Sequence, residues 1–497
     1  MQAPGDPAFG HHAPDPSRVV TLHEDHMDKT RPDRRDAAPA LGLGAVPKRT
    51  GQELTRRASL LGALGATLVA LSGCGVGDEW FGEVKPPLRG KREATTTVRH
   101  GMSVDEGGDR RVTLPAPVRN AAWPQTGGNP AHLMGHLAAS ERLARSWSSG
   151  IGTGGGYRRK ILAQPVVADG LVYTMDSDAV VTAFDVTSGS RAWRVDTKNE
   201  DADSTNIGGG MAIAEGVLYA VNGLAELVAL DAKTGQQRYR KSFSVPARSA
   251  PTVVDGRLFF TTIDDRLLAM ATADGRRLWS YQGRASQIAL LGQAAPAYAD
   301  GIVIAGFGSG NLVALRAESG RIAWSDGIGA TRAATSVADL SAIHALPVIH
   351  NNRVFVVSVG GLTVAFDLRS GRRLWEREFG GSETPWLAGD WMFVVSAEQQ
   401  LAAINATDGR IAWVTVLPRW ENEEKSKDPI QWVGPILAGD RLIVACSRGG
   451  REALAVSPYS GKILGRQSLP GTASLAPIVA SGTVFQITDD ASLLALR

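Results

Sequence analysis

The sequence is poor in the features that define several common classes of protein. Only two of its 497 residues are cysteine, Cys74 and Cys446, and their contexts are unrelated, so no disulfide framework can be built. The formal net charge is only +3, which gives no electrostatic reason to expect a nucleic-acid partner. An apolar run over residues 60–71 is shorter than the roughly 20 residues that a membrane-spanning helix needs.

Turn-forming residues are abundant, whereas tyrosine and phenylalanine are scarce. The chain holds 57 glycines and 25 prolines but only 7 tyrosines and 12 phenylalanines. This composition requires many turns and favours an all-β chain of short strands. Cys446 ends an apolar, strand-like run over residues 442–446, where we expect a small core residue rather than a reactive thiol.

The N-terminal part of the chain predicts an export signal rather than a folded domain. Residues 1–54 are polar and lack apolar periodicity, so we expect a disordered extension or a mis-assigned start. Within residues 55–74, Arg56-Arg57 precede the apolar run, which ends at Leu71-Ser72-Gly73-Cys74. This order of segments is typical of a signal peptide. Its end resembles a bacterial lipobox, which implies acylation of Cys74.

The segment after Cys74 predicts a flexible tether. Residues 75–130 contain Pro86-Pro87, Gly107-Gly108 and scattered charges, a composition typical of linkers. Position 75 is glycine, whereas an aspartate after the cysteine signals inner-membrane retention in lipoproteins of this kind. We therefore expect a protein held by lipid on the periplasmic face of the outer membrane.

The remainder, residues 131–497, is built from one repeated unit. Its first element is a strand, a tight turn ending in Gly, Asn or Asp, and a second strand. Most copies begin with proline. At the first residue of a strand, proline costs no hydrogen bond of the sheet. An eighth copy lacks the proline and ends at Gly216. The proline copies cover residues 165–170, 251–256, 296–301, 347–352, 385–390, 435–440 and 477–482.

The second element is a third strand, a turn and an aromatic residue four positions after the turn glycine. Aspartate or serine opens the turn, and glycine takes the position with positive φ. We expect the aromatic residue to start a fourth strand and to join one sheet to the next, with its N–H bonded to a carbonyl. The seventh copy, at Gly461, lacks the tryptophan. The other glycine–aromatic pairs are Gly189–Trp193, Gly235–Tyr239, Gly275–Trp279, Gly320–Trp324, Gly371–Trp375 and Gly409–Trp413.

The spacing of these elements predicts an eight-bladed β-propeller. Repeats of four short strands at such a period are typical of propeller blades. The last copy, residues 482–497, stops after its third strand, while Trp147 precedes the first blade in the segment 143–147. We therefore expect this N-terminal strand to close the ring by pairing into the last blade. A charged insertion at residues 418–428 is expected to be a solvated loop.

The turn Asp-x-x-Thr/Ser-Gly-x-x-x-Trp resembles that of two related groups, the quinoprotein dehydrogenases and the BamB family of outer-membrane assembly lipoproteins. The resemblance to BamB covers nearly the whole chain from Cys74 onward, including residues 120–128, and it is sharpest over residues 339–371. It implies a quinoprotein-like propeller that acts as a non-enzymatic scaffold. The implied partners are the periplasmic domains of the barrel-forming subunit BamA and unfolded outer-membrane proteins, with this chain as a monomer in a hetero-complex.

The same resemblance implies a partner-binding site on the loops leading into the fourth and fifth blades. The family's apolar contacts match Ile288, Leu290 and Leu340. A family arginine falls on Leu291, and family aspartates fall on Ala342 and His344, so the charged part of the contact has changed.

The alternative is a dehydrogenase dependent on pyrroloquinoline quinone. Quinoprotein alcohol dehydrogenases carry an adjacent pair of cysteines, which this sequence lacks. His11, His12, His23 and His26 have no fixed ligand geometry around them, and no nucleophile–base pair is evident. We therefore expect no catalytic residue, no cofactor and no metal.

Overall fold

The computed structural model describes residues 101–106, 111–156, 159–198, 206, 208–284, 286, 292, 294–328 and 342–497. The predicted signal and Cys74 lie outside these residues. The secondary structure of the described part is β throughout, and no helix in it is long and apolar enough to cross a membrane.

The first strand, β1 (Arg145–Gly150), is followed by four antiparallel sheets of four consecutive strands each. Blade 1 contains β2 (Val166–Ala168), β3 (Leu171–Met175), β4 (Val180–Asp185) and β5 (Arg191–Asp196). Blade 2 contains β6 (Gly209–Ala214), β7 (Val217–Asn222), β8 (Glu226–Asp231) and β9 (Gln237–Ser242). Blade 3 contains β10 (Thr252–Val254), β11 (Arg257–Thr261), β12 (Arg266–Ala271) and β13 (Arg277–Gln282). Blade 4 contains β14 (Ala297–Ala299), β15 (Ile302–Gly306), β16 (Asn311–Arg316) and β17 (Ile322–Gly327).

Four further blades complete the architecture. Blade 5 contains β18 (Val348–His350), β19 (Arg353–Val357), β20 (Thr363–Asp367) and β21 (Arg373–Arg377). Blade 6 contains β22 (Trp386–Ala388), β23 (Trp391–Val395), β24 (Gln400–Asn405) and β25 (Ile411–Val416). A hairpin of β26 (Trp420–Asn422) and β27 (Lys427–Pro429) precedes blade 7, which contains β28 (Gln431–Leu437), β29 (Leu442–Arg448), β30 (Glu452–Val456) and β31 (Ile463–Ser468). Blade 8 contains β32 (Ile478–Ala480), β33 (Thr483–Thr488) and β34 (Ser492–Leu496).

Blade 8 takes its outer strand from the N-terminal side of the propeller. Strand β1 pairs antiparallel with β34, placing Trp147 opposite Ala495. Backbone bonds of 2.8 and 2.9 Å between Ala144 and Arg497 extend the pairing. The predicted eight-bladed ring and its closure by an N-terminal strand are therefore confirmed.

The core lies between the blades. The first three strands of a blade carry buried side chains on both faces, as in β4 and β7, whereas outer strands such as β5 alternate between exposed and half-buried positions. Apolar clusters join each blade to its neighbour, and one of them joins blades 7, 8 and 1. Cys446 is part of the cluster between blades 6 and 7, fully buried and without a disulfide, as predicted.

The aromatic residues of the outer strands join each blade to the next, as predicted. Each ring lies on the turn glycine of the following blade, so that a Cβ on Gly371 would sit 2.6 Å from the Trp324 ring. Each N–H or O–H donates to a carbonyl of that turn. The bonds are Trp147–Val186 (3.1 Å), Trp193–Ala232 (3.0 Å), Tyr239–Thr272 (2.7 Å), Trp279–Ala317 (2.9 Å), Trp324–Leu368 (2.8 Å), Trp375–Ala406 (3.0 Å) and Trp413–Pro458 (2.9 Å).

The turn aspartates have a structural role. Asp367 Oδ1 accepts the Ser370 N–H at 2.8 Å and also its hydroxyl, and these bonds lower the pKa of the carboxyl. Gly371 has φ +70°, the left-handed region that favours glycine. The turn therefore holds the surface on which Trp324 packs.

A segment before the propeller, residues 120–137, passes once around the inner strands, and we call it the belt. It is bonded to all eight blades in turn, which explains why it is ordered despite having no periodic pattern. Its contacts are Asn120–Ser481, Trp123–Val167, Pro124–Ile213, Gln125–Val253, Pro130–Tyr298, Ala131–Ile349, Gly135–Trp386 and Leu137–Gly439, at 2.7–2.9 Å.

The belt corrects the predicted boundary of the tether. Trp123 is 1% exposed, and further upstream Met102 and Val112 are buried among residues of blades 5 to 7. The described residues of the segment 75–130 thus pack on the ring. The belt bonds to the inner strands and first hairpins, whereas Met102 and Asp105 bond to the third and outer strands of blade 6. The insertion at 418–428 is likewise ordered as the exposed β26–β27 hairpin.

His132 gives the belt a pH dependence. Its Nδ1–H donates to the Pro347 carbonyl at 2.8 Å, and burial lowers the pKa of its ring from 6.5 to about 4. Because the folded pKa lies below the unfolded one, neutral His132 stabilises the fold above pH 6.5, and this contribution is lost as the pH falls towards 4. We expect up to about 3 kcal/mol to be lost.

Urea unfolding between pH 7 and pH 4 measures this loss. The variant His132→Gln keeps a polar side chain without a titratable ring and should show a flatter pH dependence. An equal slope in both proteins would contradict the role of His132.

Candidate functional site

The connections that lead into the inner strands converge at one end of the central channel. They line a cavity of about 210 Å³ whose charged or titratable residues include Lys160, Arg248, His344 and Glu383. We call these residues and the cavity the channel mouth. The belt bonds to the inner strands and their first hairpins, and its Thr126 also reaches the cavity. The first hairpins and the entering connections lie at opposite ends of the inner strands, and the belt reaches from the hairpins to the cavity.

The channel mouth is built by the repeat itself. The residue three positions before a block proline lines the cavity in five blades: Leu162, Arg248, His344, Ser382 and Ser474. The register of each inner strand is fixed by its hairpin, so this position faces the cavity in these five blades, whereas the equivalent Trp432 of blade 7 is buried between blades 6 and 7. The sequence therefore contained a signal for the channel residues, although Lys160, Arg248 and Glu383 were not predicted.

A carboxylate and an imidazole lie together in this cavity. Glu383 Oε2 accepts the Gly434 N–H at 3.0 Å, and the Ser382 hydroxyl donates to Oε1 at 3.0 Å. Burial raises the pKa of the Glu383 carboxyl, while the Gly434 N–H and nearby His344 oppose that shift. His344 Nδ1–H donates to the Ser382 carbonyl at 3.3 Å. Burial also lowers the pKa of Arg248. The cavity is thus lined by polar side chains that include both acidic and basic groups.

The predicted partner-binding residues fall partly at this site. His344 lines the cavity and is half-buried. Ala342 is 2% exposed and its carbonyl accepts the Val359 N–H, so the structure corrects its assignment to an exposed contact. Ile288, Leu290, Leu291 and Leu340 lie outside the described residues. Gly292 and Ala295, which follow the first three, line the same cavity.

The described residues of the channel supply few metal-binding side chains. Among the described residues no group of three His, Cys, Asp or Glu side chains could hold a metal. Cys446 is buried in the core between blades 6 and 7 and lies away from the channel. Glu383 and His344 supply one carboxylate and one imidazole, which could bind polar groups of a partner.

The fold defines an eight-bladed β-propeller of the quinoprotein type. A family model described as outer membrane protein assembly factor BamB matches residues 156–207 and 178–415, which together span more than half of the chain. The chain belongs to the BamB family.

Individual relatives agree with this assignment. Outer membrane protein assembly factor BamB of Yersinia pestis is 26% identical over 357 residues, covering 69% of this chain and 88% of its own. The crystal structure of BamB from Moraxella catarrhalis superimposes with a TM-score of 0.60 at 18% identity, covering 71% of this chain and 99% of its own. A quinohemoprotein alcohol dehydrogenase from Pseudomonas putida HK5 also gives 0.60, at 14% identity, covering 78% and 83%. The two structural likenesses establish the fold alone.

Proposed function

We propose that the chain is a non-enzymatic scaffold for the assembly of outer-membrane β-barrel proteins. The family match over residues 156–207 and 178–415 carries this proposal. A ring whose blades are joined by packed aromatic residues and bonded to a common belt holds its inner strands and hairpins in fixed positions, as a scaffold requires. The proposed partners are the periplasmic domains of a BamA-like barrel-forming subunit and unfolded barrel proteins, with the chain as the single copy in that complex.

The proposed contact surface is the channel-mouth end at blades 4 and 5. The described ends of the connections into these two blades, Gly292, Ala295 and His344, line the channel mouth. Ile288, Leu290, Leu291 and Leu340 supply apolar side chains on these loops, and His344 adds a polar group beside Glu383. Apolar residues grouped on loops mark protein-binding surfaces.

We also propose how the propeller reaches its partner. Residues 55–74 act as the export signal, and lipid on Cys74 anchors the chain to the periplasmic face of the outer membrane. The part of residues 75–130 that precedes the ordered segments acts as the tether.

Co-purification tests this proposal. The tagged full-length chain should recover the barrel-forming subunit from detergent-solubilised envelopes, identified by mass spectrometry. Leu290→Asp and Leu340→Asp should each reduce recovery about tenfold, because a charge would be buried in an apolar contact. Ile322→Asp is the matched control, since Ile322 is 55% exposed on the outer strand of blade 4. Unchanged recovery with both loop variants, or no recovery with the wild-type chain, would contradict the proposal.

A further inference from the structure

One of the eight blade interfaces lacks its aromatic residue. In every outer strand one residue pairs with an alanine of the third strand, and at seven of these positions it is aromatic, as in Trp193 opposite Ala183 and Trp147 opposite Ala495. In blade 7 the pair is Gly465 opposite Ala455. The glycine therefore occupies the register position of the missing indole.

The receiving side of this interface has changed as well. Elsewhere the aromatic ring lies on the glycine of the turn joining the third and fourth strands of the next blade, as Trp413 lies on Gly461. In blade 8 those strands are β34 and β1, which come from distant parts of the chain. No such turn joins them, and Leu143 and Leu496 border the interface instead.

The result is an open apolar slot between blades 7 and 8, which we call the seam slot. It has a volume of about 170 Å³, and Gly465, Leu454, Leu469, Val484, Leu143 and Leu496 line it. A Cβ built on Gly465 meets no atom within 4 Å. An apolar cavity of roughly 150 Å³ is large enough to bind a benzene ring. On the exposed strand beside the slot, Ile463 and Leu464 are 40% and 56% exposed.

We propose that the seam slot binds an aromatic side chain, tryptophan or tyrosine, of an extended segment from an unfolded outer-membrane barrel strand. The other seven blade interfaces show which kind of occupant fits. Each of them is filled by a tryptophan or tyrosine side chain carried on a β-strand. Strand β31 is the free edge of blade 7, along which an extended segment can add as a further strand. Barrel strands carry aromatic residues near their ends.

This inference rests on the proposed function for the identity of the client, but its test is separate. The full-length chain is titrated against a labelled peptide of about ten residues, the length of a barrel strand, with alternating apolar and polar residues and one tryptophan. A second peptide has alanine at that position. Fluorescence anisotropy should show binding of the tryptophan peptide about tenfold tighter than the alanine peptide.

Filling the slot from within should abolish this preference. Gly465 lacks a positive φ, so Gly465→Trp restores the repeat's own aromatic residue without backbone strain. Gly327→Trp is the matched control, because it adds the same side chain at an open position on the outer strand of blade 4. The melting temperature of each variant reports its folding. N-acetyl-tryptophanamide should also displace the peptide from the wild-type chain, a readout that depends on no variant.

The outcomes separate the two proposals. A preference for the tryptophan peptide that is lost in Gly465→Trp and kept in Gly327→Trp supports the slot. Equal binding of both peptides by the wild-type chain, or a preference that survives in Gly465→Trp, overturns it. Recovery of the barrel-forming subunit is measured on the same variants and should be unchanged in Gly465→Trp, since the slot lies on blades 7 and 8.

Discussion

Replacement of Trp324 by alanine is expected to lower the free energy of unfolding by about 3–5 kcal/mol. The indole is 8% exposed, stacks on Phe366 with ring centroids 5.6 Å apart, and donates to the Leu368 carbonyl of the next blade at 2.8 Å. Truncation removes the packing between blades 4 and 5 and leaves a cavity against Gly371. Urea unfolding of the variant and the wild-type chain measures the difference.

The matched control is Leu464→Ala on the outer strand of blade 7. Leu464 is 56% exposed, so its truncation should change stability by less than about 0.5 kcal/mol. If Trp324→Ala were as mild as this control, the aromatic residues would not be the main contacts between blades.

Replacement of Trp123 by alanine is expected to have an effect of the same size, about 3–5 kcal/mol. Trp123 is 1% exposed, its ring stacks on Trp386 with centroids 6.3 Å apart, and its backbone exchanges two 2.8 Å bonds with Val167. Because the belt is bonded to all eight blades, this loss should also weaken hydrogen-exchange protection of inner strands remote from blade 1.

A control variant from the same part of the chain tests whether the effect comes from the buried Trp123 side chain. Val118 lies just before the belt and is 66% exposed, so Val118→Ala should leave stability and exchange protection unchanged. If residues 75–130 were a flexible tether, Trp123→Ala would change stability and exchange protection as little as Val118→Ala does.

The ring could be predicted because most copies of the repeat carry the same turn residues and the same aromatic position. Positive-φ hairpin residues such as Asp169 and Gly170 and the regular aromatic position each reflect a local requirement of the backbone or of one interface. The belt could not be predicted in this way. Its partners are spread over all eight blades and are mostly backbone groups of inner strands and first hairpins, so its sequence needs no periodicity and resembles a linker.

The candidate site was only partly predictable. The loops before blades 4 and 5 followed from family resemblance, whereas the clustering of Arg248, His344 and Glu383 depends on closing the ring. The missing tryptophan of the seventh repeat was evident in the sequence. Its consequence was not, because the seam slot also requires blade 8 to be completed by β1.

Site-specific photocrosslinking in the envelope tests the central claim, that the channel-mouth end holds the barrel-forming subunit. A photoreactive residue replaces His344 at the channel mouth or Asp255 in the exposed first hairpin of blade 3, at the opposite end. The account predicts an adduct with the barrel-forming subunit from position 344 and none from position 255. An adduct from position 255 alone, or from neither position, would contradict it.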